Sequence, residues 1–364
     1  MRILKIPYSL VAADVAAEDA ATRGIDDSPQ ASSCTRRFGA AHHCVSDILP
    51  IVPENPPFFT HCDPPWTPYS YTLWHTLIAR SQGLQGGECH EVIIPGFLYE
   101  DMMKCHSAWV TTGRIHNAVL ENLLETLKST KAGQELVSLL DGERKWFIRL
   151  DHMSPKDSPM GGVLPSLTLR DAMTKLCTSM RTYSCLQYEK VHAEKEERNM
   201  EIKLVLNRWH EGMDPGREFR VFVSPPAAAQ ARITNHPMAA PRPDDFKISA
   251  ISQYRWTMVL AAPWGFTLEE IVAKVEAGAN AVLQDIVTYM KDELTECVID
   301  MLLEHGFSFD VALEQDGTVQ LVEINPFGAL SPCGACLFNW IRDGKVLYGI
   351  EEAQFAVTLD EARP

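Results

Sequence analysis

The sequence predicts an α+β fold, and three observations carry that expectation. A helix-spaced apolar pattern runs over residues 117–140, short alternating strands begin at Lys145, and a hairpin signal occupies residues 307–325. The 364 residues hold 33 Lys+Arg against 48 Asp+Glu, a formal net charge of −15, with 46% hydrophobic and 22% charged residues. That length allows about two domains or one large one, and the composition is that of a globular protein. The acidic balance argues against a chain whose main work is gripping nucleic acid or an anionic membrane. No apolar run reaches the roughly 18 residues of a membrane span. The opening residues have too short an apolar core for a secretory signal, and acids between Asp14 and Asp27 spoil a mitochondrial presequence. The 10 cysteines are too sparse for a disulfide scaffold, so a reduced, cytoplasmic setting is expected.

Taken in order, residues 1–65 show no sustained periodicity and a proline-rich stretch, so weak structure is expected there. Residues 66–200 form an N-terminal part, 201–345 a C-terminal part, and 346–364 a tail. Trp66, Tyr69, Tyr71, Leu73, Trp74, Leu77 and Ile78 begin a block that reads as buried or partner-facing surface. Val92–Pro95 reads as a short strand, and residues 117–140 as one long helix. Trp146, Ile148 and Leu150 share one face of a strand, with Phe147, Arg149 and Asp151 on the other. Thr168 is an N-cap for a helix reaching about Met180. Strands follow at residues 202–209, 218–223 and 248–256, the last two separated by a Pro/Ala-rich insertion at 224–245. Residues 268–305 read as an amphipathic helical region with a break near Gly278.

The hairpin is the most informative segment. Asp316-Gly317 between apolar runs signals a two-residue turn, which places Asp310 opposite Glu323 and Asn325 on the same face. Directly opposed carboxylates repel one another. With an amide oxygen beside them they suit a hard cation such as Mg²⁺, while a solvated acidic face is the plainer reading. Val319, Leu321 and Ala312 are expected on that same face, which favours the cation. Pro326 and Gly328 end the strand and keep Asn325 at its tip. On the strand at 218–223, Glu218 and Arg220 share a face, either turned to a ligand or joined in an ordinary cross-strand ion pair. Arg149 and Lys156 are further candidates to hold phosphate oxygens. The pattern GxxxxGK[ST] is absent.

Several stretches together resemble one family. They are residues 148–157 (IRLDHMSPKD), Arg208-Trp209, residues 215–223 (PGREFRVFV), Ile251-Ser252-Gln253 and the hairpin at 310–328. In this order they resemble the D123 family, the cell division cycle protein 123 group, over roughly residues 91–340. The resemblance implies an ATP-grasp-like fold with ATP–Mg²⁺ between two α+β halves. By position it implies Asp310, Glu323 and Asn325 as metal ligands, with Glu218 and Arg220 facing the nucleotide. Arg208, Trp209 and His210 would lie along a hinge strand at the adenine and ribose. Arg149, His152, Ser154 and Lys156 match the first nucleotide-contacting strand and loop. Tyr254 stands where the family commonly has a basic residue, and Arg255 beside it would substitute. Arg149 replaces a usual Lys, Lys156 a usual Arg, His152 a usual Trp, and Glu323 an Asp in many members. The implied role is a cytoplasmic, cell-cycle-linked chaperone that assembles translation initiation factor 2 through its gamma subunit. The alternative is an ATP-grasp ligase that activates a carboxylate or phosphate on a peptide, a small molecule or an RNA end.

Cys333 and Cys336 form a CxxC without a matching second pair, so a four-cysteine zinc site is not expected. His42-His43-Cys44, His61-Cys62, Cys89-His90 and Cys105-His106 are spaced too irregularly for a metal site and read as loop and core residues. The charged run at 189–198 reads as a solvated helix end.

Overall fold

The computed structural model describes residues 1–23, 36–40, 43, 65–230, 240–260 and 265–360. His42, Cys44, His61 and Cys62 lie outside them. The chain divides into two compact units, Met1–Tyr69 with Gly212–Pro364, and Ser70–Glu211. The first unit opens with strand β1 (Arg2–Pro7) and helix α1 (Tyr8–Arg23), where the sequence predicted weak structure. The reason is tertiary: β1 pairs in parallel with the last strand of the chain, and local periodicity cannot show a partner so distant.

The second unit is continuous in sequence. It runs α2 (Tyr71–Ser81), β2 (Cys89–Pro95), α3 (Tyr99–Thr112), α4 (Asn117–Lys128), α5 (Lys131–Leu139) and β3 (Asp141–Leu150). It continues with β4 (Ser166–Thr168), α6 (Leu169–Cys177), α7 (Met180–Lys195) and β5 (Glu201–Arg208). The predicted single helix over 117–140 is two helices, because Thr130 caps α5 by accepting from the Gly133 N–H. Thr168 caps α6 as expected, but that helix ends at Cys177 and Ser179 caps a new one. The four strands form an antiparallel sheet in the order β2-β5-β3-β4. Trp146, Ile148, Leu150, Ile202, Leu204 and Leu206 join Leu123, Leu127, Leu136 and Leu176 in one buried core. Alternation along each strand therefore sends the apolar side of the sheet to the helices.

The first unit resumes with β6 (Glu218–Val223), α8 (Pro226–Gln230), β7 (Ile248–Gln253), α9 (Leu268–Glu293) and α10 (Glu296–His305). It closes with β8 (Phe307–Leu313), β9 (Val319–Pro326), α11 (Gly344–Leu347) and β10 (Gln354–Leu359). The sheet order is β1-β10-β7-β6-β8-β9, parallel at β1-β10-β7 and antiparallel beyond. Residues 346–364 are thus not a simple tail, since they contribute a strand paired on both sides. The helical region 268–305 breaks at Leu294–Thr295 rather than at Gly278, which lies inside α9. Among the described residues no helix is long and apolar enough to cross a membrane.

Candidate functional site

The hairpin β8–β9 brings Asp310 opposite Glu323 as predicted, by a route the sequence did not show. Glu314 N donates to Thr318 O at 2.8 Å, and Gly317, at φ 87°, donates to Glu314 O at 3.0 Å. That is a three-residue loop with glycine in the left-handed position, not a two-residue turn. It moves the register by one residue. An extra residue at Val322 moves it back, since Val311 pairs with Leu321 while Asp310 pairs with Glu323. The two departures cancel at the carboxylates but not between them and the loop. Leu321 and Val319 pair with Val311 and Leu313, on the opposite face from Asp310, and Gln320 takes the expected place beside Ala312.

Strand register then lays out the face in three rows. Glu218, Ala312 and Gln320 form one; Arg220, Asp310 and Glu323 the next; Phe222, Ser308 and Asn325 the third. The middle row is held by charge. Arg220 Nε donates to Asp310 Oδ1 at 2.8 Å and Nη2 to Oδ2 at 2.7 Å, a two-pronged pair with 6% and 0% exposure. Arg220 Nη1 donates to Gly334 O at 3.1 Å, and its guanidinium lies 5.1 Å from the Tyr254 ring centre. Burial pulls the Arg220 pKa down, but the charge and hydrogen bonds of Asp310 more than offset it, so the pKa is raised. Asn325 Nδ2 donates to Asp310 Oδ2 at 3.1 Å, and Asn325 Oδ1 accepts from the Cys333 thiol at 3.8 Å. Burial pushes both thiols of the CxxC up, Cys336 to about 12, so both stay protonated at neutral pH.

Asp310, Glu323 and Asn325 are therefore brought together, but as arranged they do not fit a resident Mg²⁺. Both oxygens of Asp310 accept from Arg220, and Asn325 offers that carboxylate its nitrogen rather than joining it as an oxygen donor. Among the described residues, no group of three His, Cys, Asp or Glu side chains is disposed to hold a metal ion. Arg255 does not take the place of a basic residue at Tyr254: it is exposed and its Nη1 rests 3.9 Å from Met258 Sδ.

The remaining sequence-predicted residues lie in the second unit and at two ends of its sheet. Arg208 pairs with Trp146 at one end of β5, with Trp209 N bonded to Lys145 O at 2.9 Å and His210 exposed just beyond. His152, Ser154 and Lys156 follow the far end of β3, four residues on, roughly 13 Å at strand rise. Arg149 is buried, with its guanidinium 4.0 Å from the Tyr71 ring centre. Ser154 is buried too, and its carbonyl accepts from Arg181 Nε at 3.0 Å.

His152 also lines a cavity of about 500 Å³ bounded by Asp151, Glu189, Arg198, Glu201 and Lys203, among others. Asp151 was not singled out from the sequence. Its carboxylate accepts from Ser70 Oγ at 2.7 Å and from the Thr72 N–H at 2.8 Å. Burial pushes the Asp151 carboxyl up, yet His152, those bonds and Lys203 together hold it below its usual value. The run predicted as a solvated helix end contributes to the cavity wall. Arg198 forks onto Glu189 at 2.7 and 3.3 Å and reaches Glu196 at 2.7 Å.

No family model matches the chain, and no curated protein matches it in sequence. In three dimensions it is similar to the structure of Cdc123 from Schizosaccharomyces pombe, at 16% identity and a TM-score of 0.48, over 79% of this chain and 95% of that one. The C-terminally truncated Cdc123 from the same organism is similar at 16% identity and a TM-score of 0.49, over 80% and 96%. Likeness at that level assigns no residue here a role.

Proposed function

We propose that the chain is an ATP-binding assembly chaperone of the D123 type with an ATP-grasp-like fold, promoting assembly of translation initiation factor 2 through its gamma subunit. The sequence resemblance supplies the class. The observation that supports a ligand at the site is the buried row Arg220–Asp310–Glu323 on the face of a sheet. Replacing buried ion pairs by apolar side chains is often neutral or stabilising, so a face that keeps three carboxylates and one guanidinium is better suited to a polar ligand than to packing. Among the described residues of these rows, Glu218, Asp310 and Glu323 outnumber Arg220, and a triphosphate approaching carboxylates needs a counter-cation of its own. ATP is accordingly proposed to arrive as its Mg²⁺ complex.

Calorimetric titration with MgATP tests the reading. Saturable binding, weakened at least tenfold by Glu323→Gln, is expected, with no ADP released. A pull-down that recovers the gamma subunit completes the case. Absence of MgATP binding overturns the nucleotide reading. ADP release that depends on an acceptor in cell extract and disappears in Glu323→Gln replaces the chaperone with an ATP-grasp ligase.

A further inference from the structure

The predicted metal ligands Asp310 and Asn325 are already bonded, to Arg220, to each other and to Cys333. We infer that Arg220 is the resident cation of Asp310, so that without nucleotide the face takes up no divalent metal at this carboxylate.

A carboxylate has about four lone-pair sites. Asp310 commits at least three of them, two to the Arg220 fork and one to Asn325 Nδ2. The guanidinium is fixed from three further directions. Its Nη1 is bonded to Gly334 O, Tyr254 covers it, and register holds Arg220 directly opposite Asp310. Asn325 is engaged at both ends as well, since the Cys333 thiol donates weakly to the oxygen that a metal would need. An ion entering between Asp310 and Asn325 must displace Asn325 Nδ2 from Oδ2, turn the amide over, displace the thiol and sit against the Arg220 charge. Two cations sharing one buried carboxylate repel each other, and a divalent cation such as Mg²⁺ gives up its waters reluctantly. Arg220 is also preorganised in the fold, whereas a metal must be drawn from solution.

The inference concerns the free chain and does not require the nucleotide reading. The probe is Mn²⁺, followed by its electron paramagnetic resonance signal at equimolar protein without nucleotide. The wild type is expected to leave the free-ion signal undiminished. Arg220→Gln, checked for native circular dichroism, is expected to take up one Mn²⁺ per chain, and the double variant with Glu323→Gln to release it. A wild type that removes one Mn²⁺ per chain and loses that ability on Glu323→Gln overturns the inference. So does a folded Arg220→Gln that binds none. Should Arg220→Gln fail to fold, the wild type and Glu323→Gln decide alone, and Mn²⁺ uptake that Glu323→Gln leaves intact belongs to another part of the chain. Failure of MgATP to bind would remove the proposed function and leave these results standing.

Discussion

His152 shows how much a single residue's surroundings fix its chemistry. Burial lowers its pKa first; Asp151 opposes that shift, and the Arg149 charge adds to it. The folded value therefore lies below the unfolded value of about 6.5. Below that pH the unfolded chain binds a proton at this position that the folded chain resists, so stability falls on acidification. The contribution is constant above about pH 7.5, where both states are neutral, and the loss sets in through the unfolded pKa. Urea midpoints of the wild type should decline from pH 7.5 to 5.5, and His152→Gln should decline less over the same interval. Equal slopes for the two proteins would show that the imidazole does not titrate across folding. His305, whose pKa burial also lowers, contributes to both proteins equally and cancels in the comparison.

At the scale of elements, Gly278 separates what the sequence could show from what it could not. A glycine inside a helical pattern reads as a break, since it costs about 1 kcal/mol against alanine. In the structure α9 runs straight through it, and a Cβ there would collide with the side chain of Val319 on β9. The residue is a contact point between helix and hairpin. Gly278→Ala should therefore destabilise the protein by about 1–3 kcal/mol, as overpacking does, despite the better helix propensity. Denaturant melts should show the loss. A stabilised Gly278→Ala would mean that β9 yields. The same limit explains the other differences. Alternation found β6 to the residue, and Thr168 announced its helix, because both signals are local. The pairing of Asp310 with Glu323 came out right only because a loop one residue longer than expected and a bulge at Val322 offset each other. Between them the loop alone acts and brings Gln320 opposite Ala312, and neither feature leaves a mark in the hydrophobic pattern. The Arg220–Asp310 bond was one of two readings open for that strand, and only the register of β6 on β8 selects it.

For the whole molecule, the decisive feature is that one unit is a continuous stretch and the other is not. Residues 70–211 contain every strand of their sheet and a buried core of their own. Such a segment has what independent folding requires. The other unit is assembled from both ends of the chain, because β1 and β10 pair in parallel across its sheet. Residues 70–211 expressed alone should give a cooperative thermal transition and a dispersed amide proton spectrum. Residues 212–364 expressed alone lack β1, which leaves the buried strand β10 as an open edge, and edges of that kind recruit other chains. That fragment should aggregate, and supplying residues 1–69 in the same cell should reduce the aggregation. Light scattering of the two preparations distinguishes the cases. A soluble, cooperatively melting 212–364 fragment would show that β1 is dispensable, and that the sheet carrying Arg220 and Asp310 is stable with β10 at its edge.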